Sequence, residues 1–127
     1  MENTILYNPD CSKSRELLSI VRTVGVKFTL RNYLTHPLSA EEILNLLSIL
    51  ELENPESLMR QSFNDEPTNV SQSNKHKRIA EALAAAPDLL QRPVVIIKGK
   101  AIIARPPSLA IEFIEIMSTS FTVIVFS

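Results

Sequence analysis

The chain opens with a short apolar, β-prone run, Thr4-Ile5-Leu6-Tyr7, which Asn8-Pro9-Asp10 cuts off, so a strand is expected to enter a tight turn. From Ser12 the apolar positions change period: Leu17, Leu18, Val21 and Val24 share one face of a helix, and Gly25 stops it. Val26 to Tyr33 then alternates, with Val26, Phe28 and Leu30 on one side and Lys27, Thr29 and Arg31 on the other, which predicts a half-buried second strand. Ser39 followed by Glu42 is a capping box for a second helix, with an apolar face of Ile43, Leu44, Leu47 and Leu50. Asn54-Pro55 starts a short helix carrying Leu58, Met59 and Arg60. Ser62 to Asn74 is polar, holds Pro67 and lacks a period, so it reads as a surface loop or a poorly ordered segment. Helical spacing resumes over Lys75 to Ala86 through Ile79 and Leu83, until Pro87.

Beyond Arg92-Pro93, the runs Val94-Val95-Ile96-Ile97 and Lys100 to Ala104 flank Lys98-Gly99 and predict a nearly continuous apolar β-hairpin. Arg105-Pro106-Pro107 breaks the second strand, and Leu109, Ile111, Phe113, Ile114 and Met117 suggest a closing helix. The order β-α-β-α-α-α-β-β-α is that of a thioredoxin-like α/β fold with a helical insertion. The expected layout is one domain over residues 1–117, with the insertion at about 39–90, and a tail of unknown role over 118–127. In that tail the run Phe121-Thr122-Val123-Ile124-Val125-Phe126 fits an edge strand, a self-association surface or an aggregation hazard equally well.

Composition narrows the function classes. A chain of 127 residues that is 45% apolar suits one ordinary core and is not disordered. Thirteen basic against fourteen acidic side chains leave a net charge of −1, so no global field attracts nucleic acid or an anionic membrane, and any positive site must be local. The apolar runs fall far short of the roughly 20 residues that span a bilayer, and no signal-like stretch opens the chain, so the expected location is the cytoplasm. One cysteine cannot close an internal disulfide, which leaves a free thiol to explain.

That thiol, Cys11, sits where the first turn meets the first helix. Unpaired N–H groups and the positive end of the helix dipole there stabilise a thiolate, the nucleophilic form. Ser14 can point its hydroxyl at the sulfur, and Lys13 and Arg15 add positive charge, whereas the Asp10 carboxylate works against ionisation if it faces the sulfur. A phosphatase-type loop would need an arginine where the chain has Leu17, and a dithiol exchanger would need a cysteine where it has Ser14. Any mixed disulfide at Cys11 must therefore be resolved by an external thiol. His36 and His76 have no companion ligands in sequence, so no metal site is expected.

The block Asn8-Pro9-Asp10-Cys11-Ser12-Lys13-Ser14-Arg15, followed far along the chain by Arg92-Pro93-Val94-Val95-Ile96 and then Arg105-Pro106, resembles the ArsC family of glutaredoxin-dependent arsenate reductases over roughly residues 3–117. The Ser-Lys-Ser variant is similar to the YfgD-type branch. The resemblance implies a thioredoxin-like (glutaredoxin-like) fold with a mixed four-stranded sheet, Cys11 as catalytic nucleophile, and Arg60, Arg92 and Arg105 as oxyanion-binding residues. Pro93 would be the structural cis-proline. It further implies arsenate or a similar oxyanion as substrate, glutathione as co-substrate, glutaredoxin as reducing partner, and a monomer with no bound cofactor or metal. One departure stands out: many relatives carry histidine where this chain has Tyr7, so a cation near the sulfur is missing, a loss worth about one pKa unit, or about 1.4 kcal/mol. Two other functions fit the same pattern. An Spx-like transcriptional regulator without catalysis would usually carry the Cys-x-x-Cys switch that Ser14 breaks, and a glutathione-linked thiol reductase would act on another substrate.

Overall fold

The computed structural model describes residues 2–60 and 72–126. Strands β1 (Thr4–Tyr7), β2 (Thr29–Asn32), β3 (Val94–Ile97) and β4 (Lys100–Ile103) form one mixed sheet in the order β2-β1-β3-β4. Helices α1 (Ser12–Val21), α2 (Ala40–Leu50), α3 (Gln72–Ala85) and α4 (Leu109–Phe126) complete a thioredoxin-like α/β fold, together with 3-10 turns at Pro55–Leu58 and Pro87–Leu89. The antiparallel pairs β1/β3 and β3/β4 set the register, with Leu6 opposite Val94 and Val94 opposite Ile103. Every side chain of β3 is buried, as are Ile5 and Leu6 of β1. This double-sided burial explains why the central strands read as continuous apolar runs and not as alternating ones.

The chain divides into two compact units, Met1–Arg31 with Arg92–Ser127, and Asn32–Gln91. In the first, Ile5, Leu17, Val21, Val95, Ile97, Ala104, Ala110 and Ile114 form the core. In the second, Tyr33, Leu38, Ile43, Leu83, Pro87 and Leu90 line a small apolar recess, and Leu46, Leu47, Leu58 and Ile79 are buried. The insertion expected over about 39–90 falls inside this unit, which starts earlier because Tyr33 and Leu38 are buried before α2 begins.

Several expected elements are corrected. The second strand is confined to Thr29–Asn32, because β2 lies at the sheet edge and Asn32 ends it by accepting the N–H groups of Thr35 and His36 through its carbonyl. Val26 and Phe28 instead pack, half-buried, on the core of the first unit. The buried face of α2 is Ile43, Leu46, Leu47 and Leu50, and Leu44 is exposed, since helical spacing from Ile43 selects the third, fourth and seventh residues onward. Likewise α4 buries Ala110 and Ile114 while Leu109 and Ile111 face outward. After the 3-10 turn Pro55–Leu58 the backbone is extended, and Met59 bridges Leu90, so Met59 and Arg60 lie beyond the short helix assigned to them. Helix α3 begins at Gln72, earlier than expected, and the rest of the supposed loop, residues 62–71, lies outside the described residues. The run Phe121 to Phe126 is helical backbone within α4, not an edge strand. Among the described residues, no helix is long and apolar enough to cross a membrane.

Candidate active site

Strand β1 delivers the chain into a turn that Asn8 holds three ways. Its carbonyl accepts the Cys11 N–H at 3.0 Å. Its Oδ1 accepts the Asp10 N–H at 2.9 Å, and its own N–H donates to Ser14 Oγ at 3.1 Å. Cys11 therefore becomes the N-cap of α1, with extended backbone (φ −95°, ψ 123°), and its carbonyl accepts the Arg15 N–H at 3.1 Å. The first-turn N–H groups have no partner within the helix, and a negative charge at the N-cap is what they favour.

The thiol is only partly buried and so is accessible to a reactant. Burial pushes its pKa up, but the Ser14 N–H, the Arg92 guanidinium, the Lys13 N–H and the Ser14 hydroxyl all favour the thiolate, and together they lower it from 9.0 to about 7. The nucleophilic form is thus far more populated at neutral pH than in an ordinary thiol. The thiolate is stabilised even though Tyr7, and not a cation, precedes the turn.

Of the supporting residues expected from sequence, Ser14 acts directly and is fully buried. Lys13 acts through its backbone N–H, while its side chain is exposed. Arg15 turns Nη1 onto the Pro9 carbonyl at 3.0 Å, bracing the turn. In the sequence Asn8 shows only as part of the turn that ends β1, although Asn-Pro-Asp is the signature of a turn closed by an asparagine side chain.

Sheet register brings Arg92 and Arg105 to this end of the first unit. Continuing the β1/β3 register past Leu6 and Val94 puts Asn8 opposite Arg92, and continuing the β3/β4 register past Val94 and Ile103 puts Arg105 opposite Arg92. Arg105 Nη1 accordingly donates to the Arg92 carbonyl at 2.8 Å. Nε and Nη1 of Arg92 are buried, and its guanidinium lies near enough to the Cys11 sulfur to favour the thiolate. The Arg92–Pro93 and Arg105–Pro106 peptides are both cis. Arg60 belongs to the second unit, where its N–H donates to the Leu89 carbonyl at 2.8 Å and its Nη1 to the Asp88 carbonyl at 3.2 Å. A thiolate favoured by a nearby guanidinium, with a second, exposed arginine next in register, can attack an electrophilic centre that carries anionic oxygens.

No protein-family model matches the chain. The chain is 36% identical over 112 residues to the uncharacterized protein YfgD of Escherichia coli, covering 87% of this chain and 94% of that one. It is 32% identical over 120 residues to the arsenate reductase of Haemophilus influenzae, covering 90% of this chain and 100% of that protein. A solved arsenate reductase from Vibrio cholerae superimposes with a TM-score of 0.73 at 30% identity, covering 88% of this chain and 97% of that one. By sequence and by fold, the chain belongs to the ArsC family of arsenate reductases.

Proposed function

We propose that the protein reduces arsenate to arsenite, with Cys11 as nucleophile and glutathione as the second thiol. The observation that carries the reading is the partly exposed Cys11 thiol at the N-cap of α1, its pKa lowered to about 7 by the helix start, Arg92 and Ser14. Arsenate spreads its charge over several oxygens, and Arg92 and Arg105 offer planar donors of the matching shape. For Arg60, family resemblance alone carries the expectation of an anion contact.

The Cys11 thiolate attacks arsenic and displaces hydroxide or water, forming an S–As bond with arsenic still pentavalent. A glutathione thiolate then attacks the Cys11 sulfur, and the S–As electron pair passes to arsenic, which leaves as trivalent arsenite. Cys11 and glutathione remain as a mixed disulfide, the two sulfurs having supplied two electrons. The chain has one cysteine, so no internal thiol can resolve that disulfide, and glutaredoxin is the proposed external one. This cycle needs no bound cofactor, works as a monomer, and belongs in the glutathione-rich cytoplasm.

The test is arsenate-dependent NADPH oxidation coupled through glutathione reductase, glutathione and glutaredoxin, with Cys11→Ser as control. Turnover that disappears in C11S is expected, and no Cys11-dependent turnover at any glutaredoxin concentration removes the assignment. A thiol reductase for another substrate would show the same ionised Cys11 without protection from alkylation by arsenate.

A further inference from the structure

We infer that Asn8 is a positioning residue: by taking the Asp10 N–H on its side-chain oxygen, it sets the turn in which its own N–H directs the Ser14 hydroxyl proton onto the Cys11 sulfur. The three hydrogen bonds of Asn8 fall on three different residues of the turn, Asp10, Cys11 and Ser14. Those to Cys11 and Ser14 use its backbone and belong to the path of the chain. The bond from the Asp10 N–H to Oδ1 uses the side chain, and only a residue with a short-reach acceptor can make it.

The consequence lies in the valences of one hydroxyl. Ser14 Oγ has one proton to give and lone pairs to receive. The Asn8 N–H fills a lone pair, and the residue is fully buried, so bulk water does not compete for the remaining proton. The proton is left for the sulfur, which is how the Ser14 side chain favours the thiolate. If the turn relaxes, the Asn8 N–H swings away, and the hydroxyl becomes free to rotate off the sulfur. Other charges near the sulfur come from three places: Asp10 in the turn, Lys13 and Arg15 on α1, and Arg92 ahead of β3. A change at position 8 removes none of these charges but can move Asp10 and Arg15 with the turn, so the Ser14→Ala background is what assigns the shift to the hydroxyl.

The inference rests on Cys11 as the reacting group and not on arsenate as the substrate. It is tested on the full chain, without arsenate, by the pH dependence of Cys11 alkylation with iodoacetamide. Asn8→Ala is expected to raise the midpoint by up to about half a unit, the Ser14 hydroxyl being the smallest of the contacts that favour the thiolate. Asn8→Ser should fall between N8A and the unaltered protein, because a serine hydroxyl closes the same kind of turn more weakly. In a Ser14→Ala background, N8A should add little, as expected when two residues act through one contact. An N8A midpoint equal to that of the unaltered protein, an N8S midpoint equal to that of N8A, or a full additive shift in the S14A background overturns the inference. Should N8A fail to fold, Asn8→Gly, which tolerates any backbone path, carries the same expectation. A silent arsenate assay alongside a shifted N8A titration sinks the arsenate reading alone.

Discussion

At the scale of single residues, the chemistry depends on how one sulfur is held ionised. Burial opposes the charge, and two backbone N–H groups, the Arg92 guanidinium and the Ser14 hydroxyl outweigh it. Ser14→Ala removes the hydroxyl and also leaves the Asn8 N–H without its acceptor. We expect the alkylation midpoint to rise above about 7, with a stability loss of about 1 kcal/mol in urea denaturation. The lowered pKa also has a thermodynamic consequence. With the folded thiol titrating at about 7 and the unfolded one at 9.0, the unfolded chain binds more protons across that window, so stability rises with pH from 7 to 9 and is lost as pH falls through 7. Urea denaturation of the unaltered protein against Cys11→Ser at a series of pH values should show this slope, and C11S should lack it.

At the scale of elements, local sequence rules held wherever a signal was complete within a few residues. Ser39 Oγ accepts the Glu42 N–H at 3.1 Å and Glu42 Oε1 accepts the Ser39 N–H at 2.9 Å, the capping box read from the sequence. Ser39→Ala should destabilise the protein by about 1 kcal/mol in thermal or urea melts and leave the Cys11 midpoint unchanged. The turn Lys98-Gly99 has positive φ at both residues, 50° and 77°, the geometry of a two-residue hairpin. Leu44 and Leu46 are equally apolar, and α2 buries Leu46 because it lies one helical turn from Ile43, whereas Leu44 falls off that face. The alternation over Val26–Tyr33 is genuine, but an edge strand pairs only as far as its neighbour extends, and β1 is short.

At the scale of the whole molecule, a net charge of −1 means that any anion must be captured by a few converging groups and not by a general field. On our reading Arg105, exposed and tied through Nη1 to the Arg92 carbonyl, is one of those groups. Arg105→Ala should lower kcat/KM for arsenate about tenfold or more, since a hydrogen bond to a charged group contributes about 1.5–3 kcal/mol. The alkylation midpoint should stay at about 7, because Arg92 and not Arg105 favours the thiolate. Steady-state kinetics together with the alkylation profile check both halves, and a large shift in the midpoint would assign Arg105 to the thiolate instead.

The sequence alone determined what depends on neighbours along the chain: a lone thiol at the start of a helix, a serine one turn later, a capped second helix and a tight hairpin. Propensity, capping and turn geometry act over a few residues and can be read directly. Only the tertiary structure decided that Asn8, Arg92 and Arg105 share one end of the sheet, because that follows from the register of β1 on β3 and of β3 on β4. A slip of one residue in either ladder would have turned those side chains to the opposite face, and the apolar run of β3, buried on both sides, carries no alternation from which the register could be read.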